Sequence, residues 1–444
     1  MNIDKKLIEA ATASNDVKVR YLLDAGADIH AQNDHALVQA ASNGHIETVK
    51  LLLSHGADIH ALNDNALCWA ARNGRTATVK LLLDHGADIH AEADEGLDSP
   101  LHLAVIYRHA DTVQLLLDHG ADIHSADCWG DPDGALLHAA ECGYTKIAGL
   151  LLDRGADIHV KDTMGRDAPL RRAANNGHLK TIKLLLDRGA NIHADSDNAL
   201  RSAAEFGKYG SVRLLLDCGA DIHAQNDTAL RWAAENGHDK TVGLLLDRGA
   251  DIHADSDIAV RTAIANNCVE TVKLLLGRGA DIQEANNAEL RRAAVWGQTE
   301  IVRQLLERGV DVHDSNDYAL RAAADHGRSD IVDLLLDHGN YRRGNTGLAL
   351  IALAALGNNR DVAFLINHGA DIHAEDDQAV RRAAWKGHMI TVDMLLGHFS
   401  NTDLGTLLSN VKEPNLLQAV QIERRKRLEK AVHDWFRNMP EMEI

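Results

Sequence analysis

Along most of this chain a leucine-rich run recurs, as TVKLLLSHGADIH from Thr48, TVKLLLDHGADIH from Thr78 and TVGLLLDRGADIH from Thr241. Within each run Val and the Leu triplet fall at i, i+3 and i+4 spacing, which predicts an amphipathic helix. The Gly that follows supplies the left-handed residue of a helix C-cap. Upstream lies a shorter run with paired alanines: ALVQAASNGH from Ala36, ALCWAARNGR from Ala66 and ALRWAAENGH from Ala229. Small side chains let another helix approach closely, and Gly44, Gly74 and Gly237 break the chain between the two runs. Each unit is therefore helix, tight turn, helix, and then the pentapeptide GADIH.

GADIH occurs eight times between Gly26 and His373, with near-copies at Gly189, Gly279 and Gly309, and the steps are 30, 34 or 35 residues. A unit of this size cannot bury its own apolar face, so neighbours must stack. For 444 residues two or three ordinary domains would be the first expectation, but an array grows by stacking and needs no central core. The segment SPLHLAVIYRHADTVQLLLDHGADIHSAD, Ser99 to Asp127, resembles the ankyrin repeat, with its T-P-L-H opening and G-A-D-x-N/H close. The resemblance spans about residues 1–403 as thirteen units. It implies an all-α solenoid of helix-turn-helix units with short β-turn or hairpin connectors. Residues 1–30 would be an N-terminal capping repeat and residues 404–444 a C-terminal helical cap or tail. It also implies that the GADIH connector caps the second helix and enters the hairpin, so that its small residues and its Asp are structural.

Most units have 30 residues, whereas the family unit has about 33. The shortening lies between the GADIH His and the next helix. Long connectors survive only after His90, His124 and His159, within residues 91–193, and they hold Pro100, Pro132 and Pro169. Proline suits a first helical position. These three hairpins should protrude, while the connectors after His30, His60, His193, His223 and His253 should be tight turns. The short units open instead with Asp34, Asp64, Asp197, Asp227, Asp257, Asp317 and Asp377, which are expected to be replacement N-caps. This short style resembles ankyrin arrays encoded by giant viruses of amoebae, which would place the protein in the host cell cytoplasm.

Formal net charge is −19, from 65 acidic and 46 basic residues. That argues against nucleic acid as the main partner, since phosphate-backbone binding needs a basic surface, and against anionic membrane. Four Phe, six Tyr and six Trp leave the core to Leu, Ala, Val and Ile. Five scattered cysteines, at 68, 128, 142, 218 and 268, do not form a disulfide framework. The start, MNIDKKLIEA, lacks the apolar run of a signal peptide. The expectation is a soluble, intracellular, monomeric protein.

Three constellations are candidates for chemistry. Arginine follows Leu or Val at Arg171, Arg201, Arg231, Arg261, Arg291, Arg321 and Arg381, with Asp four residues earlier in six cases and Asn287 in the seventh. That spacing suits ion pairs on one helical turn, so the series is expected to tie repeats together; the alternative is a basic groove for an acidic partner. Second, one slot of the first helix varies within the constant frame and includes Trp69, Arg172, Trp232, Arg292 and Arg382. The two positions before the terminal Gly vary as freely and include Tyr107, Phe206, Trp296 and Trp385. In the family those two positions face the concave surface, and Trp, Tyr and Arg dominate interface energies; the alternative is drift on a solvated face. Third, His124, Cys128, His138 and Cys142 have residue types that Zn²⁺ accepts, though His124 is also one more connector histidine.

No Walker loop, H-E-x-x-H, G-x-S-x-G or dinucleotide fingerprint occurs. The stretch Gly339 to Asn359 is irregular, either degenerate or a bend or socket for a partner. After residue 403, Glu413 to Phe436 should form an amphipathic helix, with Leu417, Val420, Leu428, Val432 and Trp435 apolar. It would cap the last repeat or dock another protein. Together these readings describe a non-catalytic, cofactor-free protein-interaction scaffold that binds a protein through the concave helix face and hairpin tips. The alternatives are a substrate adaptor for a ubiquitin-ligase-type complex, acting through the C-terminal helix, and a metal-binding protein.

Overall fold

The computed structural model describes the backbone of residues 3–92, 99–126, 130–281, 286–312, 314–338 and 346–437, and the side chains of these except 286–287, 314–317 and 435–437. Among the described residues the chain is all-helical, apart from one isolated antiparallel bridge between Lys161 and Asp167. Thirteen helix pairs follow the sequence rhythm among these residues, from Ile3–Thr12 with Asp16–Asp24 to Ala374–Lys386 with Met389–Gly397. They divide between two compact units, Met1–Asp251 with eight pairs and Ile252–Ile444 with five. The second unit also holds the helices Asn401–Asn410 and Pro414–Arg437.

The same pattern builds each pair. In the second repeat, the helix Ala31–Asn43 buries Ala36, Leu37, Ala40 and Ala41, and the helix Ile46–Ser54 buries Thr48, Val49 and Leu52. Within each unit, first helices pack on first helices of the next repeat, and second on second. Each fully buried Val or Leu contributes about 1.5–3 kcal/mol relative to exposure. The turn between the helices is restricted twice over. Gly74 has φ +65°, and a Cβ there would lie 2.3 Å from Nδ1 of His109 in the following repeat. That ring reaches back to the carbonyl of Arg72 through Nε2 at 2.9 Å. His45, His178 and His238 reach the carbonyls of Thr12, Glu141 and Glu205 in the same way, at 2.8–2.9 Å. The recurrent Gly-His pair is thus a joint between repeats.

Hydroxyl groups form a second joint. Thr76 meets Thr112, and Thr145 meets Thr181, each at 2.8 Å. Where the corresponding earlier residue is Ile46 or Leu179, the hydroxyls of Thr78 and Ser211 are buried without a hydrogen-bond partner among the described residues.

The connectors after His30, His60, His193, His223 and His253 are tight turns, as expected. Each contains three consecutive residues in left-handed backbone; in the first, Gln32, Asn33 and Asp34 have φ of 55°, 56° and 57°. The same conformation recurs at 62–64, 195–197, 225–227, 255–257 and 375–377. An L-residue there costs about 1–2 kcal/mol, and the positions are accordingly rich in Asn, Asp and Ser. The connector after His159 keeps its hairpin: Ala168 N–H donates to Val160 at 3.1 Å and Asp162 N–H to Arg166 at 2.8 Å. The tips after His90 and His124 involve residues 93–98 and 127–129, outside the described residues. Pro100 and Pro169 begin helices as expected, whereas Pro132 sits in a turn ahead of the helix Gly134–Glu141.

Within the irregular stretch, residues 339–345 lie outside the described residues, and the helix Gly347–Leu356 is buried from Ala349 to Ala354. The helix Pro414–Arg437 packs through Leu416, Ala419 and Val420, with Leu417 half-buried. Leu428 and Val432, expected on the covering face, are exposed, and next to Leu428 the side chain turned to the helix Met389–Gly397 is that of Arg427; the side chain of Trp435 lies outside the described residues.

Candidate functional site

In the connectors with a left-handed turn, the Asp and His are committed to the fold. Asp28 accepts the N–H of His30 at 3.0 Å, closing the connector on itself. Asn191 does the same for His193 at 3.0 Å, so GANIH is an equivalent spelling. His30 Nδ1 then lies 3.2 Å from Asp34, and Asp34 accepts the N–H of Asp58 from the next connector at 2.8 Å. The relay repeats through His60, Asp64 and Asp88, through His193, Asp197 and Asp221, and through His223, Asp227 and Asp251. The carboxylate beside each imidazole, by hydrogen bond first and by charge second, holds His30 and His60 above their ordinary range.

This corrects two expectations. Asp34, Asp64, Asp197, Asp227 and Asp257 accept hydrogen bonds from the next connector rather than capping their own helix. Asp377 receives His373 Nδ1 at 2.7 Å, and the side chain of Asp317 lies outside the described residues. Nor, among the described residues, do the arginines form ion pairs with the Asp four positions earlier. Arg201 donates to the carbonyls of Ser196 and Asp195 at 2.9 and 2.7 Å and to Gln225 at 3.0 Å. Arg261 and Arg381 reach the carbonyls of Asp255 and Asp376, at 3.4 and 3.1 Å. The four-residue rule assumes helical backbone at both ends, and the Asp residues are left-handed. Carbonyls of a left-handed turn stand outside the helical ladder and need donors, which the arginines supply. Burial pulls Arg201 below the ordinary guanidinium range, with Asp197 and Asp195 opposing the shift. Arg171 pairs with Asp162 of the surviving hairpin at 2.7 Å instead of Asp167. Arg291 and Arg321 stack on Tyr318, with 5.4 and 5.8 Å to the ring centroid. Arg231 is half-buried.

The variable positions divide into open and occupied ones. Trp296 and Trp385 are 69% and 72% exposed, and Phe206 53%. Trp69 and Tyr107 are also exposed, as are Arg292 and Arg382. Arg292 pairs with Glu289 at 3.3 Å, and Arg382 borders a cavity of about 530 Å³ with Arg321, Asp325 and Glu375. Trp232 is half-buried beneath Arg201, 5.4 Å from its centroid. Arg172 differs from the expectation of an open binding residue: it is held between Asp131 and Glu141, the latter at 2.9 Å.

The His/Cys cluster does not assemble among the described residues. His138 Nε2 lies 3.5 Å from Cys142 Sγ, but His124 Nδ1 is turned to Asp133 at 3.0 Å, and Cys128 lies outside the described residues. No group of three or more His, Cys, Asp or Glu among the described residues could hold a metal ion. Burial raises the Cys142 thiol above its ordinary range, away from thiolate chemistry. No helix among the described residues is long and apolar enough to cross a membrane.

Residues that sequence reasoning passed over include Arg72, which stacks on Trp69 and Tyr107, and Arg108 and Tyr144, which stack on each other. Two of them sit beside or in place of the turn Gly, where position alone does not signal a contact. The connector relay had a readable signal in the recurrent x-Asn/Ser-Asp triplet.

The family model for ankyrin repeats, which spans three copies, matches overlapping segments that together run from residue 7 to residue 376, among them 7–93, 136–226 and 290–376. No curated protein matches the chain.

Proposed function

The chain belongs to the ankyrin repeat family, and from that premise we propose that it is a non-catalytic scaffold that binds a protein partner on its first-helix face and hairpin tips. Ankyrin repeats are in general protein-interaction modules. The observation that carries the reading is the exposure of Trp296 and Trp385, 69% and 72%, at variable positions in an otherwise constant frame. Large aromatic side chains left in water cost solvation and return it on binding. In this reading the chain is a monomer, acts without nucleic acid or cofactor, and works inside a cell. The 30-residue repeat supports a likeness to the arrays of giant viruses of amoebae, with the host cytoplasm as the place of action.

Full-length protein and the Trp296→Ala/Trp385→Ala variant are compared as baits in crosslinked capture, with melting followed on the same samples. The expected result is a protein retained by the parent and lost by the variant while helicity and melting stay unchanged. A variant that melts early, or one that retains every captured protein, would refute the aromatic face as the binding surface.

One observation favours a second reading, an adaptor that docks a degradation complex through the C-terminal helix. Ile422, Leu428 and Val432 on the helix Pro414–Arg437 are exposed.

A further inference from the structure

In the unit Met1–Asp251, aromatic rings and arginines form two stacked sets that adjoin at the chain neighbours Tyr107 and Arg108. The Arg72 guanidinium carbon lies 4.5 Å from the Trp69 ring centroid and 4.8 Å from that of Tyr107. Arg108 lies 5.5 Å from the Tyr144 centroid, and Tyr144 meets His138 edge-on at 6.1 Å. Together the two sets cross three successive repeats, along the helices Ala61–Arg72, Pro100–Ile106 and Gly134–Glu141 and the turns that follow them. Trp69, Tyr107 and Arg108 are exposed, and Arg72 is half-buried. Elsewhere in this unit some arginines are matched by carboxylates, Arg154 by Asp118, Arg188 by Asp153 and Arg248 by Asp217, at 2.6–2.8 Å, and others, Arg75 and Arg201, donate to backbone carbonyls. Among the described residues no carboxylate forms an ion pair with Arg72 or Arg108. In a chain with 65 acidic residues against 46 basic ones, such a strip stands out.

We propose that this strip receives a short acidic segment of a partner protein, an extended peptide with two carboxylates about three residues apart. Stacking restrains a guanidinium and leaves its in-plane N–H edge free to grip a carboxylate. Neighbouring repeat helices lie about 8–10 Å apart, a distance that about three residues of polyproline-II chain cover at about 3.1 Å each, and with about three residues per turn this conformation sets both carboxylates on one face. Nucleic acid is disfavoured because guanidinium groups cover ring faces on which bases would stack, and because the net charge of −19 repels a polyanion. The proposal rests on the protein-binding reading and names the partner chemistry for the first unit.

Full-length protein is titrated into a fluorescein-labelled octapeptide with two Glu three residues apart, at about 50 mM salt. The Gln version of the peptide and a labelled oligothymidylate serve as comparators. The Glu peptide should bind at least about tenfold more tightly than the Gln peptide. Arg72→Gln/Arg108→Gln should abolish that preference, and Arg213→Gln, on an exposed helix face elsewhere, should leave it intact. Should the double Gln variant melt early, Arg72→Lys/Arg108→Lys provides the same reading, because lysine keeps the charge without the fork and should lose most of the preference. No Glu preference, a preference that survives both double variants, or tighter binding of oligothymidylate overturns the proposal. Trp296 and Trp385 lie in the other unit, so failure here leaves their test standing, and failure of both would remove the binding reading itself.

Discussion

An Asp held in left-handed backbone just ahead of a helix points its carboxylate away from that helix. Asp227 shows what this orientation does: at 5% exposure it accepts the N–H of Asp251 at 2.8 Å and faces His223 Nδ1 at 3.2 Å. A hydrogen bond to a charged group contributes about 1.5–3 kcal/mol, and the N–H left behind would be without its acceptor. Arg231 contributes mainly its half-buried stem. Asp227→Ala should therefore lower the stability of its unit by about 2–3 kcal/mol, and Arg231→Ala by less than about 1 kcal/mol. Urea unfolding of the two variants checks the order. Equal losses would restore the Asp–Arg pair as the joint between repeats.

Among elements, the helices follow from their hydrophobic period, but their ends depend on neighbours. The helix Met389–Gly397 ends on carbonyls claimed by Arg427 of the last helix: Leu396 at 2.8 Å, Gly397 at 3.3 Å and the following Phe399 at 2.7 Å. Glu423 orients the same guanidinium at 2.9 Å. One planar fork thus serves three carbonyls, which an ammonium cannot reproduce in geometry. Arg427→Ala should destabilise the unit Ile252–Ile444 by about 1.5–3 kcal/mol, and Arg427→Lys should recover less than half. Thermal melts of the three proteins measure this; full recovery by Lys would show that charge near a helix end is sufficient.

At the scale of the molecule, one His–Asp contact recurs along the chain. His30 and His60 face Asp34 and Asp64, and the same contact recurs at His193, His223, His253 and His373. For His30 and His60 the folded value is raised. A raised histidine contributes stability that is complete below its unfolded value, near about pH 6.5, and is lost as pH rises through the folded value. The protein should melt higher at about pH 6 than at about pH 8.5, and His30→Gln/His60→Gln should narrow the gap. A melting point that is flat or rises across that interval would count against the device. Exposure keeps both contributions small.

The all-α repeat, its thirteen helix pairs and its Gly turns were legible in the chain because hydrophobic period, paired alanines and turn chemistry are local properties. The tight connectors were legible too, from the missing residues alone. What each connector Asp touches was not, because Asp34 and Asp58 are joined across 24 residues by a turn whose backbone leaves the helical region. For the same reason arginines spaced as ion-pair partners serve turn carbonyls instead. Which variable side chains stand open was equally a tertiary matter: Trp296 and Trp232 are both variable-position tryptophans, yet one faces water and the other lies under Arg201. Sequence order assigns a residue to a face of its own helix, and only the packed neighbour decides whether that face is covered.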